Sequence, residues 1–141
     1  MTGRDLITRA RQEVELKTKW RHQGREPGQA LDCVGLLYCV AWAHGLEAED
    51  IRNYSKRPGS QALYETLDRY CENIGTEAAR LPGDILVLSV AGEDPQHTAL
   101  WTGDGTVIHA SAQHRKVVEQ RFDDDLRRGL CRVYRLKGLD G

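Results

Sequence analysis

Cys33 follows Asp32 directly and opens an uncharged run that continues to His44. If a helix starts there, Asp32 caps it and Cys33 sits in its first turn. The unpaired N–H groups and the positive end of the helix dipole then favour a thiolate. The same N–H groups suit an oxyanion forming on a carbonyl under attack. The competing reading is that Cys33 is a small core residue. Two histidines bear on the choice. His97 opens one apolar stretch and His109 closes the next, twelve positions later, with Gly103-Asp104-Gly105 between them. A hairpin there lets the two lie opposite each other at one end of its ladder. A thiol nucleophile needs one imidazole as base and a third polar group to hold that ring. His97 as base and His109 as orienting residue meet that need, while each alone also reads as a satisfied strand-end histidine.

A metal site is the chemical rival, and its spacing is poor. Cys33, Cys39 and His44 lack the short CxxC or HxxxH pairs of zinc sites. No metal or cofactor is called for. Cys39, Cys71 and Cys131 fall on apolar faces and read as core. His44 suits a helix C-terminus, and His114 reads as solvated in a loop. Arg21 and Arg25 precede the nucleophile in a Gly- and Pro-containing stretch. They read either as solvated charges or as guanidinium partners for the carboxylates of an acidic peptide. His22 between them is placed to line a cleft.

Positioning these residues requires several elements. Leu6, Ile7, Ala10 and Val14 share one helical stripe, which predicts an amphipathic helix over 3–18. WRHQGREPGQAL reads as a loop. CVGLLYCVAWAH is apolar on every face, so it predicts a buried helix closed by Gly45. After a polar connection (46–59), Ser60 is placed to cap a third helix over 60–74, with Leu63, Leu67, Tyr70, Cys71 and Ile74 as its stripe. Strands are predicted at 84–90, 97–102, 106–110, 116–121 and 130–136, with a short helix or turn over 122–128 started by Asp123-Asp124-Asp125. Trp42 and Trp101 supply core bulk. Helices followed by consecutive strands predict an α+β fold with an antiparallel sheet.

The 141 residues suit one domain. Twenty Lys and Arg against 21 Asp and Glu leave a net charge of −1, which excludes the basic footprint of a nucleic-acid binder. The uncharged run from Cys33 is too short for a membrane span. The charged, amphipathic start lacks the apolar region of a secretory signal, so synthesis in the bacterial cytoplasm is the expectation. Four cysteines are too few for a disulfide scaffold.

Four segments in order resemble the NlpC-type cell-wall cysteine peptidases. Leu31-Asp32-Cys33-Val34-Gly35-Leu36-Leu37 is similar to that family's nucleophile motif. Pro82-Gly83-Asp84-Ile85-Leu86 resembles its Pro-Gly-Asp strand opening. His97-Thr98-Ala99-Leu100-Trp101 resembles its histidine strand, and Val107-Ile108-His109-Ala110 the strand of its third residue. The resemblance implies a papain-like α+β fold in which a central Cys-bearing helix packs on an antiparallel sheet. It implies Cys33 as nucleophile, His97 as base and His109 as orienting residue, acting on peptidoglycan stem peptides. Where the family usually has Tyr near the oxyanion site, this chain has Trp20, whose indole offers one N–H and no hydroxyl. Trp20, Arg21, His22 and Arg25 are the implied substrate-binding residues.

Trp20 to Arg25 further resembles a stretch of phage and gene-transfer-agent tail-assembly peptidases, and Val117-Val118-Glu119 is similar to theirs as well. That subgroup implies hub or baseplate proteins as partners. It implies action at the tail tip, in the periplasm or cell wall, without membrane insertion. Two other functions suit the same features. One is a non-catalytic tail-tip subunit; the other is amidase or acyl-transfer chemistry on the same fold.

Overall fold

A computed structural model describes residues 2–43, 60–89 and 97–139. Helix α1 (Gly3–Glu15) begins at a capping box: the Thr2 hydroxyl accepts from the Asp5 N–H, and the Asp5 carboxylate accepts from the Thr2 N–H. It ends three residues earlier than the stripe predicts, and Glu13 is fully buried with Leu6 and Ala10, while Val14 is half-buried. Glu13 is buried because its partners are built in. It accepts from Arg9 at 2.8 Å, from the Thr18 hydroxyl at 2.8 Å and from the Gly28 N–H at 2.6 Å. Burial opposes its ionisation, but the Gly28, Arg9 and Thr18 hydrogen bonds outweigh that and hold its pKa below the ordinary value. This carboxylate ties α1 to the segment leading to the nucleophile.

The stretch that composition suggests is a plain loop carries three two-residue strands: β1 (Lys19–Trp20), β2 (Arg25–Glu26) and β3 (Ala30–Leu31). Two residues are too few to show a period, which is why the sequence pattern misses them. Helix α2 (Cys33–Ala43) follows, then α3 (Ser60–Tyr70). The third helix stops at Tyr70, short of the predicted 74. Cys71–Asn73 form strand β4, antiparallel to residues 134–136, which draws Cys71 into the sheet. The expectations for His44, Gly45, the connection 46–59, Val90 and the side chains of Trp42 and Ser60 lie outside the described residues.

Strands β5 (Ile85–Leu88), β6 (His97–Trp101), β7 (Thr106–Ser111) and β8 (Lys116–Arg121) come next. Helix α4 (Asp124–Arg128), capped by Asp123, and β9 (Leu130–Leu136) complete the described elements. The sheet order is β2-β3-β1-β8-β7-β6-β5-β9-β4, and among the described residues only the β1–β3 pairing is parallel. Alternate residues of β5 divide between two cores. Ile85 and Val87 join α1, α2 and α3 on one face, while Leu86 and Leu88 join Phe122 and Val133 on the other. The α+β architecture expected from the element pattern is the one observed.

Asp84 shows what its Pro-Gly-Asp segment does. It is buried, accepts from the Leu81 N–H at 2.7 Å, and takes both Nε and Nη2 of Arg135 at 2.9 Å. The turn into β5 is thereby fixed to β9. Gly83, at φ 92°, lies against the Gly3 backbone, so a side chain there meets both strain and contact. Cys39 and Cys71 are buried as expected, but Cys131 is half-buried, its thiol donating to the Gly129 carbonyl. Trp101 is half-buried, edge-on to Phe122 under the Arg80 guanidinium.

Candidate active site

The start of α2 is held from three sides. Asp32 caps it, its Oδ1 accepting from the Gly35 N–H at 2.7 Å and its carbonyl from the Leu36 N–H at 2.9 Å. Its Oδ2 accepts from the Gln23 N–H at 2.9 Å. Arg25 Nη1 donates to Oδ1 at 2.9 Å and to the Gly24 carbonyl at the same distance, while its guanidinium rests 5.7 Å from the Tyr38 ring centroid. A side chain at Gly35 would overlap the Gly24 carbonyl. The glycine two residues after Cys33 thus lets the 21–25 turn close onto the helix.

This geometry corrects the expectation for Arg25. Its side chain is 5% exposed and its carboxylate partner is Asp32, so it braces the nucleophile's cap instead of awaiting a ligand. Arg21 is exposed, with its backbone joined to Leu31 and Gly24. Trp20 is half-buried against the helix-side core, and its backbone N–H donates to the Arg115 carbonyl. Trp20 and Arg21 line an open groove with Lys17, Lys19 and Glu26 whose lining includes neither Cys33 nor His97. His22 is half-buried in the turn that brings Gln23 to Asp32.

Strand β6 meets α2 at Cys33. The Thr98 hydroxyl donates to the Cys33 carbonyl at 3.3 Å, and the Thr98 N–H and hydroxyl also act on the thiol. Sequence reasoning gave Thr98 no part, since its role depends on β6 crossing the start of α2. The helix-terminus argument for a thiolate is also corrected. Burial pushes the Cys33 pKa up, the neighbouring Asp32 carboxylate adds to it, and hydrogen bonds from Thr98 and Val34 only partly offset both. The resting thiol holds its proton.

Among the described residues the β6–β7 ladder pairs Trp101 with Val107 and Leu100 with Ile108. Beyond these pairs the strands are joined by side chains, with His97 Nε2 2.7 Å from His109 Nδ1 and the rings nearly perpendicular. His109 Nε2 is in turn 2.6 Å from Gln120 Oε1. Val107 faces Gln120 and His109 faces Val118 across β7–β8, so Gln120 reaches His109 along the diagonal. Gln120 was missed because that diagonal depends on a register the sequence does not display. Burial, then the charge of His109, drives His97 down to about 3. His109 is lowered too, by burial against the opposing Gln120 hydrogen bond, with His114 adding to the lowering. Both rings are neutral at pH 7. His114, expected to be solvated without a partner, is exposed but sits 2.9 Å from the Ser111 hydroxyl.

The arrangement therefore places a protonated thiol at a helix N-terminus, and beside that thiol a strand that begins with a neutral, relayed imidazole. Such a set can move a proton from sulfur to nitrogen during attack on a carbonyl. The backbone is similar to an NlpC/P60 family protein from Bacillus cereus, at a TM-score of 0.71 and 20% identity, covering 96% of this chain and 40% of that one. It is similar to NlpC1 from Trichomonas vaginalis (TM-score 0.70, 19% identity, 95% and 44% covered). It also resembles the peptidoglycan hydrolase RipB from Mycobacterium tuberculosis (TM-score 0.61, 19% identity, 99% and 65% covered). The chain thus spans less than half the length of the first two. No curated protein matches it. The profile described as the NlpC/P60 family matches residues 17–132, which contain Cys33, His97, His109 and Gln120, and with the papain-like α+β fold this shows that the chain belongs to the NlpC/P60 family.

Proposed function

We propose that this protein is a cysteine peptidase that cleaves peptide bonds in the stem peptides of peptidoglycan. The observation that carries the reading is the meeting of α2 and β6 at Cys33, with the His97–His109–Gln120 line starting one residue from Thr98. Cys33 Sγ attacks the substrate carbonyl as its proton passes to His97, and backbone N–H groups at the start of α2 hold the oxyanion. The C–N bond breaks as His97 returns that proton to the leaving amine, leaving a thioester on Cys33. Water then attacks the thioester with His97 as base, the C–S bond breaks, and the proton goes back to sulfur. His109 holds the His97 ring. Because both resting groups are neutral, proton transfer accompanies attack instead of preceding it.

Arg21, exposed on the groove it shares with Trp20, is suited to the carboxylates of an acidic peptide bound away from the Cys33 end of α2. The finer reading is delivery at a phage-like tail tip, with hub or baseplate proteins as partners. It is supported by the resemblance of Trp20 to Arg25 and of Val117 to Glu119 to tail-assembly peptidases. These two segments are neighbours in the sheet: Lys19 pairs with Lys116, and the Val117 N–H donates to the Thr18 carbonyl at 2.8 Å. Mass spectrometry of purified particles tests the delivery, and wall digestion by the free protein tests the chemistry. Absence from mature particles with full activity when free makes it an assembly-stage or lysis enzyme. Presence in particles without wall digestion makes it a structural subunit.

A further inference from the structure

We infer that Gln120 is a positioning residue that sets the tautomers of both histidines, an inference that rests on the hydrolase reading above. An amide oxygen only accepts hydrogen bonds. Gln120 Oε1 at 2.6 Å therefore requires the proton of neutral His109 on Nε2. His109 Nδ1 is then a bare lone pair, and at 2.7 Å it requires the proton of neutral His97 on Nε2. His97 Nδ1 is left as the basic atom. Turning the amide over would instead make its NH2 group the donor to His109. His109 would then protonate on Nδ1, and His97 Nε2 would accept. The proton of His97 would move to Nδ1 and abolish the base. Burial reinforces the device, because it keeps both rings neutral and so keeps each with one donor and one acceptor. Placed two strands from His97, Gln120 acts through His109 and touches no reacting atom.

The test uses the full chain with labelled histidines. Nitrogen-15 NMR at pH 7 reads the tautomers, and peptidoglycan digestion gives kcat and KM. The wild type is expected to show the Nε2–H tautomer at both His97 and His109. Gln120→Leu is expected to give mixed tautomers at His109 and roughly a tenfold loss in kcat with KM held within about twofold, a fraction of what a general base supplies. Gln120→Glu also only accepts, so it should restore both tautomers and most of kcat. Its charge raises the histidine pKa values, so the acid limb of the pH–rate profile should move to higher pH. An Nδ1–H tautomer at His109 in the wild type would overturn the inference. So would Gln120→Leu with unchanged tautomers and kcat, or Gln120→Glu with an unmoved acid limb. If the predicted tautomers appear but no wall is digested, the relay stands and the hydrolase reading fails.

Discussion

Around Cys33 the chain is held by charge and by close backbone approach: Asp32 is ringed by Arg25, Gln23 and Gly35, and the Gly24 carbonyl packs where a side chain on Gly35 would lie. Around His97 it is held by neutral hydrogen bonds between three side chains on adjacent strands. The first half spends its polar groups on rigidity, and breaking it exposes a buried charge. The second half spends them on proton placement, and breaking it changes chemistry more than folding. A helix terminus has to be built before it can hold a thiol, whereas a sheet already fixes the spacing of its diagonal neighbours.

The largest loss is expected at Arg25. Arg25→Met leaves the Asp32 carboxylate buried without its cation, and the expected loss is about 3–5 kcal/mol of stability in denaturant unfolding. A loss below about 1 kcal/mol would mean that the N–H donors alone hold the cap. Next comes Gly35→Ala. The 21–25 turn must shift to admit a methyl group, at a cost of about 1–3 kcal/mol by thermal unfolding. Activity should fall with it, because the same turn sits on the start of α2.

The histidine half responds to pH. Folding lowers the pKa of His97 to about 3, so between pH 6.5 and that value the unfolded chain binds the extra proton. Stability from this group is therefore complete above its unfolded pKa and lost as the pH falls. Between pH 7 and 5 the expected loss is on the order of 1–2 kcal/mol. His97→Gln should flatten this part of the stability curve; an equally steep curve in that variant would assign the acid sensitivity elsewhere. The smallest effect belongs to a clamp outside both halves. Arg11 on α1 pairs with Glu119 and with Asp104 in the β6–β7 turn, each at 3.0 Å, but it is 41% exposed. Arg11→Ala should cost about 0.5–1 kcal/mol, less in high salt, and leave wall digestion unchanged.

The five longer strands and the start of α2 were legible because alternation, an Asp before an apolar run, and Gly-Asp-Gly are local signals. Asp32 was foreseen as a cap for the same reason. Its tie to Arg25 was not, because the six residues between them had to fold back before the two met. Glu13 sat one position off the predicted stripe, since its partners at Thr18 and Gly28 arrive only with the turn beyond the helix. The Cys33 thiol went against the local dipole argument because tertiary burial outweighed it. Gln120 required the register of β8. What the sequence hid was in each case set by a partner from another element.

Cleavage of stem peptides by Cys33 is read by mass spectrometry of the fragments released from purified peptidoglycan by wild-type protein and by Cys33→Ala. The substitution removes one half-buried sulfur and should leave the fold intact by circular dichroism. The wild type is expected to release shortened stem peptides and the folded variant none. Identical fragments from both proteins, or none from either, would contradict cleavage by Cys33.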